Sequence, residues 1–201
     1  MKEKKENNKI LLGISGSPRA QGTEFAVKYA LDYAEKRFGF ETIFWTVRGK
    51  KINFCLHCDY CIREKKGCVH KDDILELYDL LTKADFLLFG TPVFQGNLSG
   101  QLKTVMDRCR ALVAKNPNVF KNKVGMALAV GGDRSGGQEI AIRSILDFFQ
   151  QNHIISVSGG AFGANLGAAL WSRDSGKAGV ESDIEGLRSI RKVIKRMAEF
   201  S

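Results

Sequence analysis

Five short apolar runs, at 10–14, 43–47, 86–89, 124–130 and 154–157, recur along the chain and are rich in β-branched or aromatic residues. Continuous runs of this length suit strands buried on both faces. Amphipathic stretches separate them. Ala26, Tyr29, Ala30, Tyr33 and Ala34 hold helical spacing in the first. Leu98, Leu102, Val105, Met106, Cys109, Leu112 and Val113 make one stripe in another, and Ile184, Leu187, Ile190, Ile194 and Met197 make one in the last. That last stretch begins with Glu181, Asp183 and Glu185 and ends with Lys195 and Arg196, which complements a helix dipole. Strict alternation of strand and helix predicts an α/β fold, an open parallel sheet between two helical layers with right-handed crossovers. With 201 residues and no internal repeat, one domain over 9–201 is expected behind a charged tail at 1–8.

Some classes drop out early. The apolar region at 86–94 is broken by Gly90, Thr91 and Pro92, far short of the ~20 residues a membrane span requires. The N-terminal MKEKKENNK is charged like a secretory leader, but the apolar run behind it breaks at Gly13, so a solvated tail is expected. The net charge of +9 favours anionic ligands or acidic protein partners. It is not gathered on one basic helix or interleaved with aromatic residues, so nucleic acid is not expected as a partner. Four of the five cysteines fall within fourteen residues, which suits a reducing, cytoplasmic setting better than a disulfide framework.

In such sheets, ligands bind beyond the carboxyl ends of the strands. The loop after the first strand reads Ser15-Gly16-Ser17-Pro18-Arg19-Ala20-Gln21-Gly22-Thr23 and runs into a helix. Small residues, an Arg and a helix N-terminus can cradle a phosphate; the same residues also suit an ordinary turn with Thr23 as helix cap. Walker A, dinucleotide and nucleophile-elbow patterns are absent here. After the third strand, Pro92, Val93, Phe94, Gly96, Asn97 and Leu98 lie in a loop whose exposed main chain and aromatic ring suit a flat heterocycle. After the fourth, Gly131, Gly132, Asp133, Gly136 and Gly137 allow close backbone approach to a ligand. No catalytic triad or carboxylate pair is evident, so the chain itself is expected to supply no acid, base or nucleophile.

Three strings, Gly-Ser-Pro-Arg-x-x-Gly-Thr, Thr-Pro-Val-Phe-x-Gly-x-x-Ser-Gly-x-Leu-Lys-x-x-x-Asp-Arg and Gly-Gly-x-x-x-Gly-Gly-Gln-Glu, resemble the NADPH-dependent FMN reductase family of flavodoxin-like proteins. The resemblance implies a doubly wound, five-stranded sheet in the order 2-1-3-4-5. It implies an FMN phosphate held by Ser17, Arg19, Gly22 and Thr23, with the flavin ring held by the second and third loops. It also implies a homo-oligomer, either dimer or tetramer. Two departures stand out. Glu24 follows Thr23 where the family often has a hydroxyl or amide, and a carboxylate beside a phosphate is unfavourable unless it points away. Phe94 stands where the family often has Tyr.

Between the second strand and the next helix lies Cys55-x2-Cys58-x2-Cys61-x6-Cys68. Three thiolates at overlapping steps can converge on one cubane, and Gly67 allows the turn that brings the fourth. Structural zinc more often takes two separate knuckles, and metal-free thiols also remain open. Within 48–71, seven Lys and Arg face Asp59 and Glu64, a field expected to lower thiolate pKa. Within the family, this spacing resembles the iron-sulfur flavoproteins. His57 and His70 are read as bystanders and Cys109 as core.

The leading expectation is an FMN-dependent oxidoreductase with a 4Fe-4S cluster in the insert at 48–71, exchanging electrons with NAD(P)H or an acidic ferredoxin and converting between two-electron and one-electron transfer. The alternatives are an NAD(P)H-dependent FMN or quinone reductase without a cluster, and a non-redox module for some other phosphorylated ligand. The stretch at 158–180, with six glycines, Phe162 and Trp171, shows no clear element and is expected to pack against a neighbouring subunit.

Overall fold

The computed structural model describes residues 9–201, and the expected tail at 1–8 lies outside the described residues. In chain order the elements are β1 (Ile10–Ser15), α1 (Gly22–Phe38), β2 (Glu41–Thr46), α2 (Tyr60–Glu64), α3 (Ile74–Lys83), β3 (Phe86–Phe94), β4 (Asn97–Leu98), α4 (Gly100–Arg108), α5 (Arg110–Lys115), β5 (Val124–Gly131), α6 (Gln138–Gln151), β6 (Ile155–Ser156), β7 (Ala168–Trp171), α7 (Gly176–Glu181) and α8 (Ile184–Met197). Parallel pairing gives the order β2-β1-β3-β5-β6, with β7 also parallel to β5 and β4 folded back antiparallel on β3. Among the described residues, no helix is long and apolar enough to cross a membrane.

Alternation along the strands sends successive side chains to opposite faces. Leu12, Ile14, Leu87 and Phe89 meet α3, α4 and α6 on one face. Leu11, Leu88, Met126 and Leu128 meet α1 and α8 on the other. Each face buries its own apolar layer, giving the parallel sheet between helices that the alternation predicts and the flavodoxin-like arrangement that the resemblance implies. The strand order reverses between β1 and β3, which places a ligand-binding crevice at their carboxyl ends.

The structure corrects three details. The sheet has seven strands rather than five, because the fifth position is shared by two and β4 folds back on β3. β6 pairs with Val124 and Gly125 at the start of β5, and β7 pairs with Leu128–Gly131 at its end. The run at 154–157 is too short to line the whole edge, and the chain turns away at Gly160, where φ is +76°. The stretch at 158–180 is accordingly not irregular throughout, since it holds β7 and α7. The long stripe expected as one helix is two, joined at Cys109. The cause is a side chain: Tyr78 Oη donates to the Arg108 carbonyl at 2.7 Å, and the Leu112 amide turns to the Cys109 carbonyl at 2.9 Å.

Candidate functional site

The loop leaving β1 is shaped by its own hydroxyl. Ser17 Oγ accepts from the Arg19 amide at 3.1 Å and donates to the Arg19 carbonyl at 3.0 Å, so this serine folds the loop. Helix α1 starts at Gly22 and its first helical bond runs from the Phe25 amide to the Gln21 carbonyl. The amides of Gly22, Thr23 and Glu24 therefore have no intrahelical acceptor and form an anion site with the positive end of the dipole. The residue at the N-cap is Gln21, not Thr23, and no side chain caps the helix. Ser15, fully buried where the loop departs, keeps a hydroxyl without a hydrogen-bond partner among the described residues.

Glu24 resolves as the sequence required. Its carboxylate turns along the helix to Lys28 Nζ at 2.6 Å and Arg48 Nε at 3.2 Å. Burial would raise its pKa, but the hydrogen bonds from Lys28 and Arg48 outweigh burial and hold it below the usual range. Its negative charge is thereby neutralised beside the open amides.

The first two loops are bolted together by groups that sequence reasoning missed. Ser99 Oγ donates to the Gly16 carbonyl at 2.6 Å and accepts from the Leu102 amide at 3.1 Å, capping α4. Thr91 Oγ1 accepts from the Ser99 amide at 3.0 Å, and the Gly16 amide donates to the Gly90 carbonyl at 2.7 Å. Both hydroxyl residues are fully buried. A Ser before Gly-x-Leu, at the start of an apolar helical stripe, was the available signal for Ser99.

The third loop is braced from behind. Gln138 Nε2 donates to the Asp133 carbonyl at 2.6 Å, and Trp171 Nε1 donates to the Gly132 carbonyl at 2.7 Å. Ser172 closes on the Gly131 carbonyl through its amide at 2.8 Å and its hydroxyl at 3.0 Å. Gly137, with φ at +111°, lies so close to Gly96 that a Cβ would come within 2.4 Å of the Gly96 carbonyl oxygen.

These loops enclose a cavity of about 600 Å³. Of the residues expected there, Ser17, Arg19, Gly22, Thr23, Pro92, Val93, Phe94 and Gly132 line it, with the Arg19 guanidinium 6.0 Å from the Phe94 ring centre. The expected residues Gly96, Asn97, Leu98, Gly131, Asp133 and Gly137 are not among its lining and instead hold the loops in place. Asn97 and Leu98 form the β4 turn, in which Asn97 Oδ1 accepts from Leu98 and Ser144. Gln21, Val130, Ser172, Asp174, Ser175 and Gly176 complete the cavity, the last four from the stretch assigned above to a subunit contact. Their positions depend on β7 reaching the carboxyl end of β5, which the short run Ala168–Trp171 does not announce.

The cysteine segment is built differently. Asp59, His57 and Lys65 take left-handed φ around the short α2, and Gly67 does so at +104°. Cys58 is exposed, while Cys55, Cys61 and Cys68 are half-buried, and all are free thiols. Cys61 and Cys68 rest on the apolar layer. Burial pushes the Cys61 thiol up against the pull of Arg110, and the nearby Cys68 and Cys55 thiols add to the rise. The lowering expected from the basic segment is therefore not seen at this thiol. Among the described residues, no three His, Cys, Asp or Glu side chains are gathered as a metal site. Arg110 pairs with Asp59 at 2.5 Å, tying α2 to α5. Cys109, as expected, is buried in the core.

Residues 10–169 match the family described as NADPH-dependent FMN reductase. The chain is 62% identical over 189 residues to an iron-sulfur flavoprotein of Methanocaldococcus jannaschii, covering 94% of this chain and 95% of that one. It is 57% identical over 191 residues to an iron-sulfur flavoprotein of Archaeoglobus fulgidus, covering 95% and 96%. A WrbA-like flavodoxin from Agrobacterium tumefaciens superposes with a TM-score of 0.66 at 15% identity, covering 96% of both chains.

Proposed function

Because the chain belongs to the NADPH-dependent FMN reductase family, and within it to the iron-sulfur flavoproteins, and is a flavin-dependent oxidoreductase, we propose that the cavity above Ser17 and Gly132 holds FMN and that Cys55, Cys58, Cys61 and Cys68 hold a 4Fe-4S cluster. The observation that carries the first half is three loops set around about 600 Å³ at the start of α1, with open helix amides and Arg19 on the side where a phosphate belongs. Arg19 and the amides of Gly22 and Thr23 receive the phosphate. Pro92, Val93 and Phe94 flank the ring, and Gly132 brings main chain up to it. Four thiols in one segment are the right donors for an iron-sulfur cluster, and Cys68 and Cys55 both help to raise the Cys61 thiol, so ligation draws the loop together. Bound FMN supplies two-electron hydride chemistry with release of electrons singly, and the cluster supplies one-electron transfer.

On this reading the protein converts between two-electron and one-electron traffic in the cytoplasm, as a homodimer or homotetramer. The net charge of +9 favours an acidic ferredoxin as protein partner, with NAD(P)H as the small-molecule one. Anaerobic purification tests the proposal. A flavin spectrum with about one FMN per chain, plus iron and acid-labile sulfide near four each, is the expected result. A colourless protein after flavin supplementation overturns it.

A second reading is an NAD(P)H-dependent FMN or quinone reductase with metal-free cysteines. Stopped-flow reduction by NADPH in a protein free of iron selects it.

A further inference from the structure

Segment 53–72 begins and ends at a single guanidinium. Arg108 Nη1 donates to the Asn53 carbonyl at 2.7 Å, just before Cys55, and to Asp72 Oδ2 at 2.8 Å, just beyond Cys68; Nη2 donates to Asp72 Oδ1 at 3.0 Å. Asp72 Oδ2 also accepts from the Asn53 amide at 2.9 Å and from Asn53 Nδ2 at 3.1 Å, so the two stems are joined directly as well. The Arg108 side chain has no exposed surface. The backbone of Arg108 is fixed too, through the Tyr78 hydroxyl at the break between α4 and α5.

One donor is left over. Among the described residues, Arg108 Nε is buried without a hydrogen-bond partner, and so is Nε2 of His70, two residues past Cys68. Buried N–H groups in folded proteins nearly always find an acceptor. Cys68 lies within electrostatic reach of Arg108. A sulfur is the acceptor this loop can bring.

We propose that Arg108 is the positioning residue of the cysteine loop, gripping both stems so that the four thiols stay in one tethered span and keeping its Nε–H for a sulfur of the loop. This rests on the cluster reading above. It assigns to a residue outside the cysteine motif the span of the loop and part of the cluster's electronic environment, since hydrogen bonds to sulfur raise a cluster's potential. Lysine cannot replace it, because a point charge does not bridge a carbonyl and a carboxylate in one plane.

The test uses the full chain with FMN bound, comparing wild type, Arg108→Lys and Asp72→Asn. In cluster-free protein, the rate of modification of the loop thiols by Ellman's reagent and the hydrogen exchange of 53–73 are measured; retained FMN reports an intact fold. In anaerobically assembled protein, iron, sulfide and the cluster's midpoint potential are measured. For Arg108→Lys, thiol modification roughly tenfold faster or more, exchange accelerated within 53–73 alone, and a lower potential in any cluster that forms are expected. Unchanged thiol rates and exchange with FMN retained overturn the clamp; a loosened loop with an unchanged potential overturns the sulfur contact. Should Arg108→Lys lose FMN, Asp72→Asn, which keeps the guanidinium and weakens one stem, decides by the same two readouts. Wild-type protein without iron or sulfide overturns the cluster reading and the sulfur contact, while the thiol and exchange measurements still decide the clamp.

Discussion

The loops around Ser17 and Thr91 are tied to each other through Ser99, and the loop around Gly132 is braced by Gln138, Trp171 and Ser172, whereas the cysteine segment is tied down at its two stems and through Arg110. The first region hides even its hydroxyls. The second exposes large apolar side chains, Phe54 at 74% and Leu56 at 65%. A ligand gripped by main-chain amides needs its cradle formed beforehand, because backbone cannot reorganise cheaply after binding. Thiols, by contrast, can be gathered by the metal they bind, and ligation then contributes to folding. On the proposed reading, the flavin side is complete in the folded chain, and the thiol side is completed by the cluster it binds.

Removing one thiol should separate the regions most sharply. Cys61→Ser is expected to reduce iron and sulfide to near zero while FMN stays bound at its normal ratio; loss of both cofactors together would mean the two regions are not independent. Arg19→Ala should weaken FMN binding about tenfold, read by quenching of flavin fluorescence on titration, with little change in iron content. An unchanged affinity would remove Arg19 from the phosphate site. Gly137→Ala probes whether the cradle is rigid. With φ at +111° and the Gly96 carbonyl in the way, it should cost about 1–3 kcal/mol in thermal unfolding and also weaken FMN. A neutral outcome would show that this loop gives way.

The smallest effect is in the clamp's response to acid. Burial would raise the Asp72 pKa, but the Arg108 guanidinium and the Asn53 amide hold its carboxyl well below the usual range. The folded chain thus keeps Asp72 ionised where the unfolded chain would take up a proton. The resulting stability is complete above the ordinary carboxylate pKa of about 4 and is lost as pH falls below it. Hydrogen exchange of 53–73, corrected for intrinsic rates, should be flat from pH 7 to 5 and rise relative to the core near pH 3.5. Asp72→Asn should abolish that rise.

Much of the fold was legible because each strand is a run of apolar residues bounded by Gly, Pro or charge, and each helix keeps a stripe. What stayed hidden depends on contacts between distant residues. The edge of β5 that the run at 154–157 announces is shared with β7, a run too short to signal itself, and β7 in turn carries Ser172 and Asp174 into the cavity. The helix break at Cys109 comes from a tyrosine thirty residues earlier taking a carbonyl. The bond between Arg108 and Asp72 spans 36 residues of sequence. At the site, hydroxyls and glycines were recognisable as loop-formers, but which of them face the ligand and which brace their neighbours is decided by packing. Gly131 and Gly137 brace; Gly132 faces inward.

Cys109, at the joint between α4 and α5, has one further consequence. It is 1% exposed, and burial pushes its thiol up to about 12. At physiological pH it stays protonated and out of reach of oxidants and alkylating agents. Of the five sulfhydryls, only those of the loop are open to peroxide, nitric oxide or a competing heavy metal, so oxidative damage to the native protein will be concentrated in the cysteine loop.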